Sequence, residues 1–151
     1  LLEISEADWD SMIDTDLKGC YFCCQAVAKE MVEQKSGNII NIASGLATKA
    51  APLMGVYCAT KAGVLMMSRV MALELAQYNI RVNVISPGIT RTEMTGYAWR
   101  DPEVLKKKEA TIALGRIGEP VNIGGAAVFL ASDASSYITG HNFLVEGGLL
   151  A

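Results

Sequence analysis

Tyr57 and Lys61 stand four residues apart in Tyr57-Cys58-Ala59-Thr60-Lys61. On a helix, four steps return to the same face, so a phenol and an ammonium would lie side by side. A free phenol ionises near pH ~10, too high for easy proton exchange at neutrality, and a nearby cation favours the phenolate. The pair is therefore fit for general acid/base chemistry. Tyr-x-x-x-Lys is also common on ordinary helix surfaces, so its neighbours must decide. Ser44 offers a hydroxyl thirteen residues before Tyr57, and Ser86-Pro87-Gly88 punctuates the chain beyond.

The surrounding elements bring these residues to one edge. Ser5-Glu6-Ala7-Asp8 reads as a capping box, with Asp where Glu or Gln is commoner. A helical pattern runs on to about Gln34 with a break near Thr15, and Gly37 stops it. Asn38 to Ala43 is short, β-branched and apolar, hence a strand. Ser44 to Gly55 is a loop of small residues, and a long helix spans about Val56 to Gln77. Ile80 to Ile85 is a second strand, ended by Ser86-Pro87-Gly88. Strand, long helix, strand is a βαβ unit with parallel strands. Residues 89–118 read as a loop with short helices, one near Pro102 to Ala113. Glu119-Pro120 opens another helix to about Ala131, and Asn142 to Val145 is a third strand closed by Gly147-Gly148. This alternation predicts an α/β fold with helices on the faces of a parallel sheet. In such sheets ligands bind outside the carboxyl ends of the strands, where Ser44, Tyr57 and Pro87-Gly88 converge.

Composition narrows the function. The 151 residues are 51% apolar and 19% charged, which is core-forming and not disordered. A net charge of -3 gives no overall pull toward nucleic acid or an anionic membrane. No run of 18 apolar residues marks a membrane span. Cys20, Cys23 and Cys24 crowd one helical turn apart from Cys58, which is no disulfide framework and suggests a reducing cytoplasm. The start Leu1-Leu2-Glu3-Ile4 reads as the inside of a longer protein. The long helix is apolar around almost its whole circumference, from Ala62 and Leu65 to Leu75, so it needs a second burial surface. Leu149-Leu150-Ala151 reads as a further apolar contact patch.

Taken in order, Ser44, Tyr57-x-x-x-Lys61 and Arg81-Val82-Asn83-Val84-Ile85-Ser86-Pro87-Gly88 resemble the short-chain dehydrogenase/reductase family. The likeness continues through Gly115-Arg116-Ile117-Gly118-Glu119-Pro120, Val128 to Ser132, Tyr137-Ile138-Thr139-Gly140 and Val145-Glu146-Gly147-Gly148. It implies the C-terminal part of a Rossmann-type doubly wound parallel sheet, with NAD or NADP as cofactor. By this resemblance Tyr57 is the acid/base, Lys61 assists it and holds the nicotinamide ribose, and Ser44 holds the substrate oxygen. Pro87, Gly88, Thr90 and Thr92 would contact the cofactor, and residues 93–115 would form a substrate-side lid, with Met94, Tyr97 and Trp99 lining the pocket or packing within it. The substrate would be a small alcohol or ketone, and the assembly a homodimer or homotetramer built from the helices at 17–34 and 56–77 plus the C-terminal strand. Gluconate and polyol dehydrogenases and 3-oxoacyl-carrier-protein reductases are the nearest in pattern.

Two departures matter. Where the family carries Asn-Leu-x-Gly, this chain has Asp16-Leu17-Lys18-Gly19, so Asp16 takes the place of a relay residue. The family's phosphate-binding glycine motif has no counterpart, since no two glycines are spaced GxG. One alternative is a non-catalytic half-domain serving as an oligomerisation module. A hydrolase using Ser44 and His141, the lone histidine, is a third, against which stands the lack of a GxSxG elbow. The remaining residues read as structural: the Cys20–Cys24 group as a buried helix face and not a metal site, Lys106-Lys107-Lys108 as a solvated face, and Arg81 and Asn83 as fold-supporting.

Overall fold

A computed structural model describes residues 2–151. Three parallel strands form one sheet in the order β1-β2-β3: β1 Gly37–Ile42, β2 Ile80–Pro87 and β3 Asn142–Val145. The register pairs Ile39 with Val82, Ile42 with Ile85, and Pro87 with Val145. Five α-helices accompany it: α1 Glu6–Met12, α2 Gly19–Gln34, α3 Gly55–Leu75, α4 Pro102–Glu109 and α5 Pro120–Ala131. α2 and α3 cover one face and α5 the other. Alternation in β2 explains the layering. Ile80, Val82 and Val84 point toward α2 and α3, where they join Cys24, Ile39, Val64, Leu65, Met71 and Ala72 in two apolar clusters. Arg81 and Asn83 point the other way, where Arg81 donates to the carbonyls of Leu130 and Ser132 at the end of α5. Asn83 donates to Ile138 O at 2.8 Å and accepts from His141 N at 3.1 Å, so both polar residues serve the fold.

The expected break near Thr15 is not a break. Ile13–Lys18 is a π-helical turn joining α1 to α2, in which Gly19 N donates to Asp14 O five residues back. Ser5 caps the start as expected, its hydroxyl accepting from Asp8 N at 3.1 Å. The wider turn rotates Asp16 toward α3. Close approach there is permitted by Gly63, where a Cβ would stand 3.0 Å from both δ-methyls of Leu17.

Element ends differ modestly from expectation. α3 stops at Leu75 and tightens into a 3₁₀ turn over Ala76–Tyr78, while α4 stops at Glu109 instead of Ala113. β2 continues through Ser86-Pro87, because Val145 O still accepts beyond it, from Gly88 N. Gly55–Tyr78 is long and apolar enough to cross a membrane by length and composition. Here it lies on the sheet, with Val64, Leu65, Met71 and Ala72 buried. The surplus apolar residues the sequence pointed to remain outside, with Leu73 82% and Met66 56% exposed. The 149–151 stretch departs from expectation: Leu149 and Leu150 are half-buried against their own chain.

One polar network crosses the α2–β1–α3 core. Asn41 is 7% exposed, and its Oδ1 faces Cys24 Sγ at 3.2 Å and Cys20 Sγ at 3.6 Å. Asn41 Nδ2 donates to Ser68 Oγ at 2.9 Å, and Ser68 donates in turn to Val64 O at 2.7 Å. Because the single Ser68 proton goes to Val64, the amide must present its oxygen to the thiols. Cys20 is pushed well above the usual thiol range by its hydrogen bond to Cys24 and by burial.

Candidate active site

The carboxyl rim of the sheet gathers the chemistry-bearing residues. Ser44 follows β1 in extended conformation and caps a 3₁₀ turn over Gly45–Ala47, its Oγ accepting from Leu46 N at 3.1 Å. That turn packs on α3. Tyr57 lies in the first turn of α3, with Lys61 one turn on and its Nζ 5.6 Å from the Tyr57 ring centroid. Asp16, brought across by the π-turn, holds Lys61 with Oδ1 3.5 Å from Nζ. The ammonium is sequestered, with 13% of its side chain exposed against 29% for Asp16. Among the described residues Asp16 is its only acidic partner. The arrangement joins a phenol, a fixed cation and a carboxylate, with a serine hydroxyl on the adjoining loop.

The next strands complete the rim. Pro87 ends β2, and at Gly88 a Cβ would stand 2.7 Å from Glu146 Cα, so only glycine lets the chain pass the end of β3. Thr90 is buried, its hydroxyl donating to Gly88 O at 3.3 Å, and it forms an isolated bridge with Gly118. Thr92 caps a 3₁₀ turn over Glu93–Ala98 in a reciprocal box with Thr95. Met94 and Tyr97 project outward, 73% and 63% exposed. Trp99 turns inward: its indole N–H donates to Thr92 O at 3.0 Å, and its ring lies near Arg91 and Arg100 at 5.1 and 5.6 Å. Arg91 pairs with Glu119 and Arg100 with Glu93, so the indole is the centre of a local brace.

Other residues lie apart from this rim. His141 immediately precedes β3, at the level of Asn83, while Ser44 lies near the level of Pro87. Four residues of rise separate them by about 13 Å along the sheet, with β2 between, too far for a serine–histidine pair. A groove of about 590 Å³ runs between α2 and α3, lined by Tyr21, Cys24, Val32, Met67, Val70 and Met71. A smaller one of about 210 Å³ lies between Arg116, Asn122 and Glu146. Neither is lined by Ser44, Tyr57 or Lys61. Sequence reasoning missed the π-turn that orients Asp16 and the Asn41 network. The first carries only the weak signal of a faltering helical period; the second shows as a polar residue on the inward side of a buried strand.

Comparison with known proteins decides the class. A family model described as Enoyl-(Acyl carrier protein) reductase matches residues 1–150. The chain belongs to the short-chain dehydrogenase/reductase family. It is 44% identical over 148 residues to a D-threitol dehydrogenase of Mycolicibacterium smegmatis, covering 97% of this chain and 56% of that protein. It is 41% identical over 149 residues to the 3-oxoacyl-[acyl-carrier-protein] reductase FabG of Chlamydia trachomatis, covering 99% and 59%. Its fold superposes with a TM-score of 0.94 on a gluconate 5-dehydrogenase from Burkholderia cenocepacia in complex with NADP and tartrate, at 34% identity, covering 97% and 58%. The polyol and acyl-carrier likenesses read from the sequence are thus both present. Solved members of the family hold NADP or NADH, and the α/β Rossmann class is shared with them. The chain spans under two thirds of the length of these relatives.

Proposed function

We propose that residues 1–151 form the catalytic part of an NAD(P)-dependent oxidoreductase that interconverts a secondary alcohol and a ketone. The observation that carries this reading is the Asp16–Lys61–Tyr57 arrangement at the carboxyl rim, with Lys61 fixed one turn from the phenol. Tyr57 exchanges a proton with the substrate oxygen, and Lys61 stabilises the phenolate. Ser44, whose Oγ accepts from the Leu46 amide, keeps its own proton free to donate to the same oxygen. Asp16 orients the ammonium. The rim suits the nicotinamide-ribose end of a dinucleotide, because Lys61 has three donors and Asp16 engages one edge of it. Pro87, Gly88, Thr90 and Thr92 would flank that end, and Met94 and Tyr97 would face the substrate. The bound cofactor supplies or accepts the hydride. With no GxG pair in residues 1–151, the pyrophosphate turn belongs to a part of the protein outside them.

The test is Tyr57→Phe in the full-length protein, followed at 340 nm with NAD and NADP against small polyols and their ketones. Turnover is expected to fall about 10²- to 10⁴-fold, with dinucleotide binding nearly intact. Wild-type turnover in this variant would overturn the assignment.

The exposed apolar groove between α2 and α3 favours a second role for the same chain, self-association into a homodimer or homotetramer through these helices. A purely structural module would assemble in the same way but show no nicotinamide-dependent absorbance change with any alcohol.

A further inference from the structure

The segment after β3 ties two walls of the candidate site together. Gly147 and Gly148 both adopt left-handed backbone, at φ +69° and +84°, which L side chains rarely enter. A Cβ at Gly147 would stand 2.8 Å from Ile112 Cγ2, and one at Gly148 would stand 2.6 Å from Ala113 Cβ. Leu114 N donates to Gly147 O at 3.0 Å. The double glycine is thus pinned to the far end of the 89–118 segment. A turn follows, closed by Leu149 N to Glu146 O at 3.3 Å and by Leu150 N to the Glu146 carboxylate at 2.9 Å. The turn delivers its apolar residues to the Ser44 loop. Leu150 Cδ1 lies 3.3 Å from where a Cβ of Gly45 would be, directly beside Ser44. Lys49, on the same loop, donates its ammonium to Leu149 O at 3.2 Å.

We propose that Gly147–Leu150 is a positioning brace for substrate: it sets the distance between the Ser44 loop and the 89–118 segment, with Leu150 as the apolar wall next to the serine. The proposal rests on reading Ser44, Tyr57 and Lys61 as the active site. A brace of this kind acts on how well the substrate fits and leaves proton transfer and the dinucleotide untouched. In the full-length protein, Leu150→Ala should raise the substrate KM about tenfold, with kcat within about threefold and the dinucleotide KM unchanged. Lys49→Met, which removes the tether from the outside, should move the substrate KM in the same direction by a smaller factor. Leu150→Met, which keeps the bulk, should restore the wild-type value. Gly148→Ala should reproduce the Leu150→Ala effect; if it does not fold, the Leu150 and Lys49 variants still decide the matter. An unchanged substrate KM in folded Leu150→Ala would overturn the brace. Tyr57→Phe assayed beside it separates the two ideas, since a fully active Tyr57→Phe overturns the site itself.

Discussion

Removing Asn41 should loosen the three elements that carry the site, and the cost can be worked from its partners. Asn41 links α2 through Cys20 and Cys24, β1 through its own backbone, and α3 through Ser68. Asp16 lies just before α2, Ser44 just after β1, and Tyr57 and Lys61 on α3. In Asn41→Ala the bond from Nδ2 to Ser68 Oγ is lost, at about 1 kcal/mol. The two thiols lose their acceptor, but S–H donors are weak and add only about 0.5 kcal/mol together. The vacated amide leaves a small cavity in a site that is 7% exposed, worth about another 1 kcal/mol. The sum is about 2 to 3 kcal/mol. Asn41→Leu refills the space and should cost about 1 kcal/mol, because Ser68 keeps its bond to Val64 O. Asn41→Leu with Ser68→Ala removes the bonded amide and hydroxyl together and should come within about 0.5 kcal/mol of wild type, the remaining cost being the two thiols left without their acceptor. Urea unfolding of the full-length protein measures the four states of the cycle, wild type, Asn41→Leu, Ser68→Ala and the double variant, with Asn41→Ala beside them. A cost below about 0.5 kcal/mol for Asn41→Ala, or strict additivity of Asn41→Leu and Ser68→Ala, would refute the reasoning.

Three more outcomes follow from the same geometry. Asp16→Asn removes the carboxylate 3.5 Å from Lys61 and leaves the ammonium without its anchor, so kcat/KM for alcohol oxidation should fall about three- to tenfold. Steady-state kinetics of the full-length protein check it, and a wild-type kcat/KM rules it out. Gly88→Ala drives a Cβ to 2.7 Å from Glu146 Cα and should separate the ends of β2 and β3, lowering stability by about 2 kcal/mol in urea unfolding. Leu73→Lys combined with Val70→Glu places charge on the exposed face of α3 and should shift the full-length protein toward smaller species in sedimentation velocity.

What was legible in the sequence was what depends on local pattern. The limits of α5 and β3 follow from Pro at the first helical position and from a short apolar run before a double glycine. The parallel βαβ unit and the convergence of Ser44, Tyr57 and Gly88 follow from element order alone. The features that escaped depend on distant partners. Trp99 read equally well as a pocket wall and as packing, and only the positions of Arg91 and Arg100 on either side of it give the indole its place. Leu149 and Leu150 look like an exposed patch to any local reading, because the loop that covers them lies a hundred residues earlier.

The π-turn shows how a local irregularity becomes a functional placement. Asp16 and Lys61 meet because an i→i+5 bond at Gly19 widens the helix by one residue and changes the face that Asp16 presents. An unbroken α-helix would rotate everything before Gly19 by about one residue's turn, near 100°, relative to α2. Asp16 and Leu17 would then both leave α3, and the gap at Gly63 would lose the side chain that fills it. Three sequence choices therefore act together: glycine at 19 where the wide turn closes, glycine at 63 where the helices touch, and a short polar side chain at 16. Deleting one residue from the 13–18 turn tests this coupling. It should restore regular α-helix, keep the apolar face of α2 in register because α2 is anchored separately on β1, and break the Asp16–Lys61 pair. Far-UV circular dichroism should remain native while kcat falls by a factor at least as large as that of Asp16→Ala. A deletion variant with the wild-type kcat would mean that the turn does not position Asp16 for the reaction.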